Sequence, residues 1–163
     1  SPVAGDADSE LMPEELLAPA TDPALLPNAA DYGPPLPEER VRALLDFGQA
    51  LLRTQRLLLP AEANAVLMFS RVLAIEPANA EAIAGLEGVV DAYLALARTE
   101  FDGGKVDDGR AYLDRARQVA MTPGLDRVAL EKRLDEEWKR RVDGPLARAR
   151  AALEAWKGDE AQV

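Results

Sequence analysis

The side chains of this sequence that could do chemistry are carboxylates. Asp107 and Asp108 stand together, Asp135, Glu136 and Glu137 form a second run, and Asp102-Gly-Gly-Lys-Val-Asp-Asp-Gly mixes acids, glycines and a lysine. Two carboxylates opposed across a cleft can break a glycosidic bond, one of them with a raised pKa. Neighbours on a helix point in different directions, however, and Asp135, Glu136 and Glu137 each have a base four residues on, in Lys139, Arg140 and Arg141. Both runs therefore read as solvated helix surface. The glycine-rich segment lacks the Gly-Lys-Ser/Thr ending of a phosphate loop and the alternating ligands of a calcium loop, so it reads as a turn between helices. No catalytic residue, metal ligand or cofactor site is expected.

Composition narrows the chemistry further. The 163 residues include no histidine and no cysteine, which removes an imidazole base, a histidine-dependent serine triad, a thiolate nucleophile, a Cys/His zinc site and any disulfide. With 29 acidic against 19 basic residues the formal net charge is -10. The basic runs at Lys139-Arg140-Arg141 and at Arg148 to Arg150 are interspersed with acids, so no nucleic-acid partner is expected. Apolar residues make up 48% and aromatic residues 5%, a balance rich in alanine and leucine that supplies one core and favours helices over sheets. Asp91 and Arg98 interrupt the richest apolar stretch, leaving no run of the roughly 18 residues that a spanning helix needs. A soluble chain is expected. It opens without Met or a basic-plus-apolar leader, as a processed or trimmed product would.

The elements that must position any site are helices. Residues 1–37 hold Asp6, Asp8, Glu10, Glu14, Glu15, Asp22 and Asp31, no base and many prolines, the composition of a disordered acidic linker. Residues 38–163 are nearly balanced in charge and form the helical domain. Pro37, Glu38 and Glu39 open a first helix running to about residue 57, with Val41, Leu44, Leu45, Phe47, Gly48, Leu51 and Leu52 on its inner face. Pro60 opens a second, buried through Val66, Phe69, Val72 and Leu73 and ended by Glu76-Pro77. A third starts at an Asn79 cap, is apolar around most of its girth, and should be the central element until Gly103-Gly104 stops it. A fourth spans about Val106 to Val119. Thr122-Pro123 caps a long fifth whose stripe is Leu125, Val128, Leu134, Trp138, Val142, Leu146, Ala149, Leu153 and Trp156, with a kink or brief break at Asp143-Gly144-Pro145.

A repeat links the second helix to the fourth. Ala65, Phe69 and Val72 stand four and three apart with Pro77 five further on; Gly109, Leu113 and Ala116 repeat the spacing, with Met121 in place of the proline. This pattern, with Phe47-Gly48 and Leu51 on the first helix, resembles the tetratricopeptide repeat family over residues 40–122. The resemblance implies an all-α array of about five helices in helix-turn-helix pairs, closed by a long C-terminal capping helix. The loop near Leu58 to Ala61 is longer than the family's turn, and the third helix is several turns too long. An irregular superhelix is therefore expected.

The run from Phe69 to Glu87, Ile-Glu-Pro-Ala-Asn-Ala-Glu-Ala included, followed by Tyr93-Leu-Ala-Leu-Ala, also looks like repeat regions of bacterial envelope proteins. With the acidic spacer before it, the layout resembles outer-membrane lipoprotein activators of bifunctional class A penicillin-binding proteins. That likeness implies a periplasmic monomer, held to the outer membrane by an upstream lipid anchor, which binds and activates a peptidoglycan synthase and catalyses nothing itself. Similar repeats also serve pilus, secretion and kinase assemblies, and a carboxylate-based glycan hydrolase is the third alternative.

By family analogy, partner segments lie on the wall of first helices. Counting from Phe47-Gly48 places Arg42, Gln49, Arg53 and Arg56 there, a basic edge suited to a carboxylate or a backbone carbonyl. Tyr93 could supply an aromatic anchor or pack in the core. Trp156 could touch a partner or staple the last helix to the array.

Overall fold

The computed structural model describes residues 36–162. By its internal contacts the chain divides between Leu36 and Pro37, so the acidic linker expected over residues 1–37 lies almost wholly outside the described residues. From Pro37 onward the fold is all-α: α1 Pro37–Arg53, α2 Ala65–Ile75, α3 Ala80–Asp102, α4 Val106–Ala120, α5 Arg127–Trp138, a π-helical turn Lys139–Asp143, and α6 Gly144–Ala161.

Local chemistry explains most of these boundaries. Glu38 and Glu39 occupy the first turn of α1 against the positive end of its dipole. Phe47, expected on the inner face, is exposed, because it stands about 100° around the helix from Gly48, which takes the buried side. The helix ends at Arg53, earlier than expected, because Gln55 takes a left-handed conformation at φ 58. Gln55 and Arg56 then donate their backbone N–H groups to the carbonyls of Leu52 and Leu51 at 3.1 and 2.9 Å, the Schellman arrangement that terminates a helix. The same closure recurs after α3: Gly104, at φ 77, donates to Phe101 and Lys105 to Glu100. Here glycine supplies the positive φ without strain.

Pro60 does not open α2. That helix starts five residues later, where the buried Asn64 accepts the Leu67 N–H at 2.8 Å and donates to the Pro60 carbonyl at 2.9 Å. A cap that satisfies its own donor as well as a helix donor outcompetes a proline that only tolerates a helix start. Asn79 caps α3 as expected, accepting from Ala82 at 2.9 Å. Thr122 does not cap α5. Its hydroxyl donates back to the Val119 carbonyl at 2.7 Å, closing α4, and Asp126 accepts from Ala129 to start α5 instead.

Packing centres on Phe69 of α2, which is fully buried. A methyl group on Gly48 of α1 would lie 2.8 Å from its ring, and one on Gly85 of α3 would lie 2.4 Å from it. Two glycines thus let two helices close on one aromatic disc. In the second hairpin, a methyl group on Gly109 of α4 would lie 2.4 Å from the Phe101 ring of α3. All six repeat positions, Ala65, Phe69, Val72, Gly109, Leu113 and Ala116, are buried. Helix α3 is the central element, contributing Leu86, Val89 and Val90 with no exposed surface, each stabilising the fold by about 1.5–3 kcal/mol.

The long C-terminal element corrects two expectations. Its stripe is not continuous: Leu130, Leu134 and Val142 are buried, whereas Val128, Leu146, Leu153 and Trp156 are exposed. Only α5 and the π turn cover the array, and no residue of α6 is buried. The break falls one turn earlier than the glycine and proline, because Pro145 has no N–H to give the Arg141 carbonyl and its ring would crowd that group. The backbone accommodates this by a wide turn in which Gly144 N–H reaches the Lys139 carbonyl. Trp138 Nε1 donates to Asp143 at 3.0 Å across that turn.

Candidate partner-binding surface

Helices α1 and α5 flank α3 on one wall, joined to it by charge pairs. Arg42 of α1 grips Glu81 of α3 at 2.9 and 3.2 Å and also Asp46 at 3.1 Å. Arg133 of α5 meets Asp91 of α3 at 2.6 Å, and Arg141 of the π turn meets Asp102 at 2.6 Å. Between them Glu137, only 3% exposed, accepts two hydrogen bonds from Arg98, each 2.9 Å, and one from Arg141 at 3.2 Å. Arg98 holds the Glu137 carboxyl below the usual glutamate range; burial opposes that shift and is outweighed. Arg42 lowers Glu81 in the same way.

This ladder divides the predicted basic edge. Arg42 is committed to carboxylates on its own chain and serves as a clamp between α1 and α3. Gln49 is half-buried, while Arg53 and Arg56 are exposed and make no ion pair among the described residues. Arg42 and Arg53 are eleven residues apart on one helix, about 16 Å along its axis. Tyr93 is 4% exposed: it packs in the core, stacked on Tyr112 at 6.2 Å between centroids, and burial pushes its hydroxyl pKa up. Its edge reaches a recess of about 240 Å³ shared with Gln55, Leu58, Leu59, Tyr112 and Arg115. Trp156 does not staple the last helix down; it is 57% exposed.

The carboxylate clusters are placed as helix surface except at Glu137, which was expected to be solvated and is instead buried where Arg98 and Arg141 neutralise it. Asp107 and Asp108 sit exposed in the first turn of α4. Of the three expected intrahelical pairs in α5, only Glu137 with Arg141 forms closely; Asp135 turns to Arg117 of α4 at 3.1 Å. Arg140 instead approaches Glu137 at 3.9 Å, and Lys139 makes no ion pair among the described residues. Glu100 and Asp108 do share a small recess, but with Lys105 and Arg115 beside them. Among the described residues the two carboxyls with displaced pKa values, Glu81 and Glu137, both move down, opposite to what a general acid requires. Among the described residues no three acidic groups converge as a metal site, and no helix is long and apolar enough to cross a membrane.

One concavity was not anticipated. Where α2 and α4 end side by side, Ser70, Leu73, Ala74, Pro77, Gln118, Met121, Thr122, Pro123 and Gly124 line an open, mainly apolar groove of about 600 Å³. Pro77 and Met121 are the equivalent last positions of the two repeat units, so the repeat alignment carried the signal. Met121 is 59% exposed, and Gly124, at φ 99, supplies the left-handed backbone conformation of the loop that follows it. Such a groove takes an apolar side chain or a short segment of another protein. No family model, curated protein or solved structure matches the chain.

Proposed function

We propose that this chain is a non-catalytic protein-interaction module of tetratricopeptide type, and that its partner is a bifunctional peptidoglycan synthase of the class A penicillin-binding protein kind. The observation that carries the reading is the apolar groove between the ends of α2 and α4, open on an array whose helices are fixed by glycine contacts and charge pairs. A rigid concave scaffold with an uncovered apolar floor binds without needing a reactive group. The sequence likeness to outer-membrane lipoprotein activators supplies the partner class, and with it a periplasmic location and a lipid anchor upstream.

Activation by such a module is a matter of differential affinity: it must bind the active state of the synthase more tightly than the inactive one, or the equilibrium does not move. The test is glycan-strand synthesis by a purified class A synthase with and without this chain. Stimulation that saturates, and that Met121→Asp weakens at least tenfold in half-saturating concentration with no change in thermal unfolding, is the expected result. Release of fragments from purified glycan by the chain alone would establish the hydrolase reading. Capture of a pilus, secretion or kinase component, with no effect on synthesis, would move the module to another assembly.

A further inference from the structure

Helix α6 carries a second surface that the groove does not explain. Leu146, Ala149, Leu153 and Trp156 follow one another at spacings of three, four and three, which sets them in one stripe along a helix. The large members are 50%, 48% and 57% exposed. Arg150 and Lys157, seven residues apart, run along one border of that stripe. Arg150 makes no ion pair among the described residues, and Lys157 only approaches Glu154 at 3.9 Å. Elsewhere Arg42, Arg98, Arg117, Arg133 and Arg141 are all tied to carboxylates on neighbouring helices. The stripe therefore has a basic border that no close ion pair on its own chain neutralises.

We infer that α6 is a docking helix for an acidic amphipathic helix of another protein, whose apolar face meets the stripe and whose carboxylates meet Arg150 and Lys157. The occupant is helical because α6 is convex and its backbone donors are used internally, so only interdigitating side chains can cover it, and Ala149 leaves room for close approach. A second copy fits poorly. In an antiparallel two-fold pairing the same border of each helix faces its mate, setting Arg150 against Lys157. The 18 residues of α6 span about 27 Å, and one pair of helices that short covers well under the roughly 1,200 Å² of a stable interface. The contact is therefore of the weak, transient kind.

The probe is a labelled 18-residue synthetic helix with leucine on one face and glutamate on its borders, followed by fluorescence anisotropy against the whole chain. Saturable binding is expected, with at least tenfold loss for Leu153→Asp and for a scrambled peptide of the same composition. Arg150→Glu with Lys157→Glu should exchange the preference to a peptide carrying lysine in place of glutamate. Because α6 buries nothing, these variants should keep the thermal unfolding of the parent. Equal binding of the scrambled peptide, no binding by the parent, concentration-dependent dimerisation abolished by Leu153→Asp, or adsorption to anionic lipid vesicles through Trp156 would each overturn the assignment. Met121→Asp should leave peptide binding unchanged, so failure at α6 and failure of the groove reading are separate results.

Discussion

The array from α1 to α5 and the projecting α6 are built from the same alanine- and leucine-rich vocabulary, yet one is a packed core and the other is exposed from end to end. Phe69 is closed between Gly48 and Gly85, whereas Trp156, a larger ring, meets solvent over 57% of its surface. Amphipathic spacing fixes which face of a helix is apolar; it does not supply the surface that covers it. What distinguishes the array is the set of features that bring helices together: glycines opposite aromatic rings, and arginines reaching carboxylates about 39 residues away, as in Arg42 with Glu81 and Arg98 with Glu137. Helix α6 has neither. Packing energy in this molecule is therefore concentrated at a few inter-helix contacts.

The sharpest way to break the comparison is at the aromatic disc. Phe69→Ala removes a fully buried ring whose neighbours are held by three helices, and should cost about 3–5 kcal/mol, read as a fall of roughly 10–20 °C in the midpoint of thermal unfolding. Gly85→Ala should destabilise by about 1–3 kcal/mol through overpacking, since its methyl would sit 2.4 Å from a ring with nowhere to go. Combined with Phe69→Leu the two effects should not add, because the smaller side chain makes room for the methyl. Additive losses would mean that the glycine–ring contact is not what sets the approach of α3 to α2.

The charge ladder predicts a smaller effect with a pH signature. A carboxyl whose folded pKa is depressed contributes its full stabilisation above the ordinary glutamate range, and loses it as pH falls through the lower folded value. Glu137→Gln should therefore cost about 2 kcal/mol at pH 7, with the gap between parent and variant in denaturant unfolding closing as pH drops from about 5 toward 3. Arg98→Ala should show the same closing gap, because it removes the first cause of the depression. A gap that persists unchanged at pH 3 would assign the stabilisation to packing of the side chain and not to its charge.

Much of the fold is legible in the residues that report on it locally. Asn79, Gly104 and the stripe of α3 mark the central helix because caps and periodicity are short-range signals. The start of α2 is less legible: Pro60 offers a general tolerance, while Asn64 wins through a hydrogen bond to the Pro60 carbonyl that depends on how the loop folds back. The surface is harder still. Arg42 reads as a free base only while Glu81, far along the chain, is unseen, and the groove at Met121 exists because two helix ends meet. Gly85 was readable as an anomaly, since a glycine inside a helix carries a propensity cost that close approach offsets. The aromatic ring it serves was not.

The least perturbing change tests the exposed half of the comparison. Leu153→Ser removes an apolar side chain that is 48% exposed, from a helix with no buried residue, so global unfolding should shift by no more than about 0.5 kcal/mol. Leu134→Ser, on the covered half of the same C-terminal element and with no exposed surface, should cost several-fold more, since it leaves both a cavity and a hydroxyl in the core. The ratio of the two losses measures how far the array's cover extends along the chain. If Leu153→Ser destabilises as much as Leu134→Ser, α6 folds back onto some part of the molecule in solution and its stripe is already occupied. If the ratio is large, the stripe is open, and the π turn at Lys139–Asp143 marks the border between the helix that closes the array and the helix that leaves it.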